Sequence, residues 1–250
     1  MTAVTVACAD RELGNALLEL LASTNFRALY TSDVVGVEVG GAVKNVIAIA
    51  AGMSEGLGLG TNAMAALVTR GCTEMRRLVQ VWHPDLIRPP PRSPPLSPLT
   101  AHPPDPHLSP PSTPTARSPD ATPPHLHSHS PALPPPPQVC GGEPSTVFGL
   151  SGVGDTFGTC FGPLSRNRQV GYRLGQGESL DSILASTSEV AEGVATARAV
   201  TKLIDEKVQG YRKDLKYPIM FGVAAILEGK LSPKEGLERL MAMPLRLEEF

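Results

Sequence analysis

The first thirty residues combine two short apolar runs with one stretch of helical periodicity. Residues 3–8 are small or β-branched and uncharged, which predicts a short buried strand. Asp10 can cap a helix to about Thr24 whose apolar side carries Leu13, Leu17, Leu18, Leu20 and Leu21. The run from Phe26 to Tyr30 predicts a second strand. One strand–helix–strand unit is too little for a dinucleotide-binding sheet.

A long run of small apolar residues follows, and it predicts a helix from about Val39 onward. The glycines at 56, 58 and 60 should end this helix. Thr61 or Asn62 can cap the next helix, which runs to about Trp82 with these residues on its apolar side: Ala65, Leu67, Val68, Cys72, Met75 and Leu78.

Helical periodicity also dominates the last hundred residues. Regular structure resumes at about Val147, and residues 155–160 should form a helix or a tight turn. Ser179 or Leu180 begins a helical stretch that includes Ile183, Leu184 and Val190. Three more helices are predicted, over about 196–208, over 220–228 and, behind a Ser-Pro start, over 232–241. The chain is therefore expected to be mainly α-helical.

The pattern breaks down between Pro84 and Pro144, where 22 of the 26 prolines and nearly all of the histidines lie. Such a composition cannot maintain helix or sheet, so residues 83–144 are predicted to form a disordered insert. The motif His125-x-His127-x-His129 could bind a metal weakly, and residues 134–137 could dock on an SH3-like groove. A solvated spacer is the simpler interpretation.

Composition and charge narrow the function classes. The net charge of −2 gives no indication of a nucleic-acid or membrane-surface partner. Four scattered cysteines without a CxxC pair argue against a zinc site or a disulfide framework and fit a reducing compartment. No apolar run is expected to reach the ~20 residues of a membrane span. No targeting signal is visible. The chain lacks Gly-x-Gly-x-x-Gly, and residues 58–63 fit only a looser form of it and follow a predicted helix.

Two stretches carry candidate chemistry. Lys44 interrupts an apolar helix, where it either extends its amine to the surface or lies in a cleft as a proton donor or phosphate contact. Residues 149–161 and 165–168 bring an acid, hydroxyls and fixed cations together in a glycine-rich context.

Several motifs resemble the NAD(P)-dependent glycerol-3-phosphate dehydrogenase family, in particular its bacterial and plastid type. They occur in the family's order: GGAVKNVIAI at 40–49, GLGLGTNA at 56–63, LVTRG at 67–71, GLSGVGD at 149–155, LSRNR at 164–168, QG at 176–177 and EGVAT at 192–196. The resemblance implies a helical substrate domain like the C-terminal domain of 6-phosphogluconate dehydrogenase, over 36–82 and 145–250. Residues 1–35 would then be a remnant of a Rossmann α/β domain.

The resemblance also implies a reaction and its residues. Hydride would pass reversibly between NAD(P)H and dihydroxyacetone phosphate, giving sn-glycerol 3-phosphate. Lys44 would be the catalytic acid or base, and Asp155 would hold it in place. Arg166 would bind the substrate phosphate, with hydrogen bonds from Ser165, Asn167 and Thr159. Arg166, Val190 and Glu192 would contact NAD or NADP.

Each assignment has a structural alternative. Asp155 and Arg166 could form a purely structural ion pair, Val190 could be core, and Glu192 could be a solvated helix start. The family's glycine-rich phosphate loop and its other substrate lysine have no counterpart, so we expect a truncated or mis-spliced product with little activity of its own. A full-length form is expected to be a homodimer in the cytoplasm or plastid stroma. The alternatives are another Rossmann-plus-helical dehydrogenase, such as a 3-hydroxyacid dehydrogenase, and a non-catalytic module acting through the Pro-rich segment.

Overall fold

The computed structural model describes residues 1–81, 141–187, 191–208 and 210–243. It begins with the predicted strand–helix–strand unit: β1 (Thr2–Ala7), α1 (Arg11–Leu21) and β2 (Phe26–Thr31). The strands pair in parallel with Thr2 opposite Phe26. The Asp10 carboxylate accepts the backbone N–H groups of Glu12 and Leu13 at 2.9 and 3.1 Å, so the predicted cap is confirmed.

The regular structure in the rest of the described chain is helical, which confirms the predicted mainly helical fold class. The helices are α2 (Val34–Gly56), α3 (Gly60–Val81), α4 (Pro144–Val147), α5 (Asp155–Phe161), α6 (Arg166–Gly175), α7 (Leu180–Ala185), α8 (Glu192–Lys207), α9 (Lys213–Lys216), α10 (Pro218–Leu227) and α11 (Pro233–Met241). A π-helical turn, Leu150–Gly154, leads directly into α5. Ser232 and Glu235 form a capping box at the start of α11, which confirms its predicted start.

Several predicted boundaries were wrong. Helix α2 begins at Val34 instead of about Val39, because Asp33 caps it through the Gly36 N–H at 2.8 Å. Thr61 lies inside α3 and does not cap it. Helix α8 begins at Glu192 instead of about Thr196, and α6 was not predicted at all. These errors arise because glycine and charged residues inside a helix weaken its periodic signal.

Helix α2 is the centre of the core and packs against α3, α5, α6 and α8. By length and apolar composition it could cross a membrane, so the prediction that no apolar stretch reaches that length needs correction. Most of its apolar window, 61%, is buried inside the protein. Val43, Val46, Ile47 and Ile49 are all fully buried, which accounts for the apolar composition as that of a core helix.

Glycines allow α2 and α6 to approach closely. A Cβ on Gly171 would overlap the carbonyl oxygen of Ile49, and one on Gly52 would overlap that of Arg168. One turn further along, a Cβ on Gly175 would lie 2.6 Å from the Met53 carbonyl oxygen. The contact therefore places backbone against backbone, and it fixes the start of α6 relative to the middle of α2.

The described segments on either side of residues 82–140 lie next to each other. The Gly142 N–H donates to the carbonyl of Val79 at 3.2 Å, close to the end of α3. The buried carboxylate of Asp33 accepts the Glu143 N–H at 2.8 Å while it caps α2. The end of α3 and the start of α4 are therefore close together, and the two helices pack against each other.

Glu74 is a fully buried carboxyl group on α3 that supports the start of α10. It accepts the backbone N–H groups of Ile219 and Met220 at 3.0 and 3.2 Å, and Arg70 lies 3.4 Å from it. It supplies the cap that Tyr217, at the N-cap position, does not. Burial raises the pKa of the Glu74 carboxyl to about 8, although these hydrogen bonds and Arg70 lower it.

Candidate functional site

The structure joins the two stretches that carry candidate chemistry. Lys44 Nζ lies 2.5 Å from Asp155 Oδ2, although 111 residues separate them in the chain. The Lys44 side chain is 21% exposed and that of Asp155 is 43% exposed, so the pair lies at the edge of the protein interior. Lys44 therefore does not simply extend to solvent. It is an ammonium group held by a carboxylate where a ligand can reach it.

Local backbone structure explains where Asp155 lies. The π-helical turn ends at Gly154, and Asp155 is the first residue of α5. A π-helical turn is rare and often occurs at functional sites, because its extra residue shifts the following side chains around the helix. A carboxylate in the first turn of a helix is also stabilised by the helix dipole.

An open cleft of about 450 Å³ borders Asp155. Its lining comes from β1, from the first half of α2 and from the π-helical turn with α5, and it includes Val4, Gly41, Leu150, Asp155 and Gly158. The strand–helix–strand unit and the helical region thus both contribute to the same cleft. Most of its lining is apolar with a few polar groups, as is usual for small-molecule sites.

A second cleft of about 540 Å³ shares Gly158 with the first. It collects most of the residues that the motifs single out, namely Thr159, Ser165, Arg166, Asn167 and Glu192. Ser165 caps α6 by accepting the Arg168 N–H at 3.3 Å, and Arg166 is the first residue of that helix. A helix start with an arginine attracts an anion through both its N–H groups and its fixed charge.

Asn45 also belongs to the site, although no motif in the sequence assigned it a role. Its Oδ1 accepts a hydrogen bond from Asn167 Nδ2 at 3.0 Å, and its own Nδ2 lies 3.4 Å from Glu192 Oε2. The backbone N–H of Gly193 donates to Asn167 Oδ1 at 2.9 Å. A polar amide next to Lys44 inside an apolar run was the available signal, because buried amides need partners.

The remaining residues predicted for the site do not all line the clefts. The Thr159 hydroxyl donates to the Asp155 carbonyl at 2.7 Å, so it is free to accept a hydrogen bond from a ligand but not to donate one in this arrangement. Arg168, the second arginine of its motif, binds Glu55 of α2 at 2.5 Å and joins the two helices. Val190 lies outside the described residues, as do the three spaced histidines. Among the described residues there is no cluster of three metal-ligating side chains.

Comparison with known proteins agrees with this architecture. Residues 33–87 and 138–238 match the family model described as NAD-dependent glycerol-3-phosphate dehydrogenase C-terminus. The chain belongs to this family. The match skips residues 88–137, which lie inside the Pro-rich segment.

Curated relatives carry the same family name. The chain is 39% identical over 243 residues to glycerol-3-phosphate dehydrogenase [NAD(+)] 2, chloroplastic, of Arabidopsis thaliana, covering 97% of this chain and 43% of that protein. It is 39% identical over 247 residues to glycerol-3-phosphate dehydrogenase [NAD(P)+] of Nitratidesulfovibrio vulgaris, covering 99% and 56%. The chain thus spans about half the length of the curated relatives that it matches.

A solved glycerol-3-phosphate dehydrogenase shares the fold. The crystal structure of the Coxiella burnetii protein aligns with a TM-score of 0.67 and 29% identity, covering 97% of this chain and 55% of that one. The comparison and the family match confirm the predicted resemblance and the mainly helical fold class.

Proposed function

We propose that this chain carries the substrate-binding and proton-transfer part of a glycerol-3-phosphate dehydrogenase. The reaction is reversible hydride transfer between NAD(P)H and dihydroxyacetone phosphate, giving sn-glycerol 3-phosphate. One observation carries the proposal: Asp155, whose carboxylate is 2.5 Å from Lys44 Nζ, borders a cleft that shares Gly158 with the cleft containing Arg166. The named activity of the relatives supports the same reaction.

Lys44 supplies the proton in this proposal. When hydride reaches the carbonyl carbon, the oxygen becomes an alkoxide and takes a proton from Lys44 Nζ. In the oxidative direction the neutral amine accepts the hydroxyl proton instead. The Asp155 carboxylate holds the ammonium group in position and balances its charge near the apolar cleft.

Arg166 recognises the phosphate. Its guanidinium can donate two parallel hydrogen bonds to a phosphate, a geometry that lysine cannot reproduce. Ser165 and Asn167 add uncharged hydrogen bonds at the same end of α6, and Thr159 can accept one from a substrate hydroxyl. A phosphorylated substrate favours this reaction over that of a 3-hydroxyacid dehydrogenase, which would not need Arg166.

NAD or NADP supplies the hydride when it is bound. Arg166 and Glu192 share the second cleft and would hold the cofactor, as Val190 would by family resemblance. The unit β1–α1–β2 carries no glycine-rich phosphate loop. We therefore expect weak dinucleotide binding and little turnover from this chain alone. We further propose that a full-length form is a homodimer and that its location is the cytoplasm or the plastid stroma.

Ligand binding tests the proposal without requiring turnover. Titration calorimetry should show that sn-glycerol 3-phosphate binds and that glycerol, which lacks the phosphate, does not. Arg166→Leu should weaken binding at least tenfold, since a hydrogen bond to a charged group contributes about 1.5–3 kcal/mol. Arg198→Leu, a change of an exposed arginine on α8, is the matched control and should leave binding unchanged.

Hydride transfer is then measured by the oxidation of NADH or NADPH with dihydroxyacetone phosphate. Lys44→Met should abolish any turnover while sn-glycerol 3-phosphate still binds. Equal binding of glycerol and glycerol 3-phosphate, or equal losses in the Arg166 and Arg198 variants, would refute the phosphate site. Normal turnover by the chain alone would refute the expectation that it is catalytically incomplete.

A further inference from the structure

Gly158 is the middle residue of helix α5, which runs from Asp155 to Phe161. Glycine is unfavourable in the interior of a helix, because it loses more backbone freedom on folding than alanine and has no side chain that can pack. A glycine at such a position therefore needs a reason, either within the fold or in what the fold binds.

The fold supplies no such reason at Gly158. Its φ is not positive. A Cβ built on it would have no atom of the described residues within 4 Å, apart from its chain neighbours and the backbone of its own helix. Other glycines of this region differ. A Cβ on Gly152 would overlap the carbonyl oxygen of Val147. One on Gly162 would overlap the carbonyl oxygen of Gly158 itself.

The open space beside Gly158 belongs to the clefts of the site. Gly158 lines both the first cleft, which Asp155 borders, and the second cleft, which contains Arg166. Among the described residues it is the one that the two linings share, so the clefts adjoin there. Gly41 on α2 also has open space around it but lines only the first cleft.

The neighbours of Gly158 on α5 show which ends of a ligand would meet at this junction. Asp155 lies one turn earlier on the same face of the helix, and its carboxylate holds Lys44 Nζ at 2.5 Å. Thr159 follows Gly158 and lines the second cleft together with Arg166. A substrate with its reacting oxygen at Lys44 and its phosphate at Arg166 would therefore cross the junction.

We propose that Gly158 is a specificity-determining residue, because the absence of a side chain there leaves room for the carbon chain of the substrate between Lys44 and Arg166. The proposal rests on the proposed function, which places the reacting oxygen and the phosphate at these two residues. A side chain at position 158 would occupy this room and exclude the carbon chain, but it would leave Arg166 accessible to a smaller anion.

Gly158→Ala and Gly158→Leu test the proposal, since alanine and leucine are both better helix formers than glycine. Both variants should unfold at a higher urea concentration than the unmodified chain. Calorimetry should nevertheless show weaker binding of sn-glycerol 3-phosphate, by about threefold for alanine and at least about tenfold for leucine, because added atoms in an occupied space are costly. A defect of folding alone would not combine higher stability with lower affinity.

Inorganic phosphate is the second probe, since it is small enough to bind Arg166 without crossing the junction. Its affinity should be the same in both variants as in the unmodified chain. Gly222→Ala on α10 is the matched control, because Gly222 also has open space around it and lines neither cleft. This control should raise stability in the same way and leave both affinities unchanged.

Unchanged affinity for sn-glycerol 3-phosphate in Gly158→Leu would overturn the role of Gly158. Equal losses for sn-glycerol 3-phosphate and inorganic phosphate would also overturn it, because the change would then disturb the phosphate end instead of the space between the ends. So would a fall in stability, since Gly158 would then have a reason within the fold. Failure of the unmodified chain to bind sn-glycerol 3-phosphate would overturn the proposed function, and this proposal with it, before any variant is compared.

Discussion

Glu74 makes the stability of this protein depend on pH in an unusual direction. Its pKa is raised by burial from 4.5 to about 8, so the folded state holds a proton that the unfolded chain has released. Between these two values the unfolded state binds fewer protons, and the free energy of unfolding must fall as pH rises. The slope is at most about 1.4 kcal/mol per pH unit for a single proton.

The whole window gives an upper limit on the effect. Between pH 4.5 and about pH 8, ionisation of Glu74 can lower the free energy of unfolding by up to about 5 kcal/mol. Below pH 4.5 the stabilisation from protonated Glu74 is fully present, and above about pH 8 it is lost. That is a large part of the ~5–15 kcal/mol that stabilises an ordinary domain.

Glu74→Gln tests this reasoning, because glutamine can still accept the N–H groups of Ile219 and Met220 but does not titrate. Urea unfolding followed by circular dichroism from pH 5 to pH 8.5 should show a steep fall for the unmodified chain and a flatter profile for the variant. Glu206→Gln, an exposed change on α8, controls for a lost surface carboxylate and should keep the steep profile.

Two outcomes would contradict the argument. Parallel profiles for the unmodified chain and Glu74→Gln would mean that Glu74 does not titrate in this window. A stability that rises with pH, and does so only when Glu74 is present, would mean that Arg70 and the backbone N–H groups outweigh desolvation and keep the carboxylate ionised.

Two further changes test the packing. Gly171→Ala should lower the free energy of unfolding by about 3 kcal/mol or prevent folding, because the added methyl group would overlap the Ile49 carbonyl. The control Gly222→Ala on α10, which has open space around it, should be neutral or stabilising by up to about 1 kcal/mol. Equal effects of the two changes in urea unfolding would contradict the close α2–α6 contact. Replacing residues 84–138 with about five Gly and Ser residues should preserve the helical circular dichroism spectrum. It should also raise the free energy of unfolding by about 2 kcal/mol, because a shorter connection closes at lower entropic cost. Loss of the helical spectrum would mean that the segment is needed for folding.

The sequence could predict much of the fold because its strongest signals are local. Asp10 and Ser232 carry their own capping chemistry, and both helix starts were predicted correctly. The apolar positions of α3 repeat at helical spacing, and Leu67, Val68 and Met75 are indeed buried. The family resemblance likewise depends on motifs that are contiguous in the chain.

The start of α6, by contrast, has no local apolar signal in the sequence. Ser165 to Arg168 contains no apolar residue, and its helix exists because Ser165 caps it and because Gly171 allows it to pack on α2. A periodic pattern cannot show a contact between two backbones, since glycine contributes no side chain to the pattern.

In the candidate site, too, some features can be recognised in the sequence and others only in the structure. The sequence by itself determined which residue types were available: a lysine in an apolar helix, an acid after a glycine-rich turn, and an arginine after a serine. Only the tertiary structure decided that Lys44 meets Asp155 and that Asn45 is hydrogen-bonded to Asn167 and Glu192. The physical reason is that hydrogen bonds and ion pairs act over about 3 Å, whereas the partners lie more than a hundred residues apart, and only core packing around α2 brings them together.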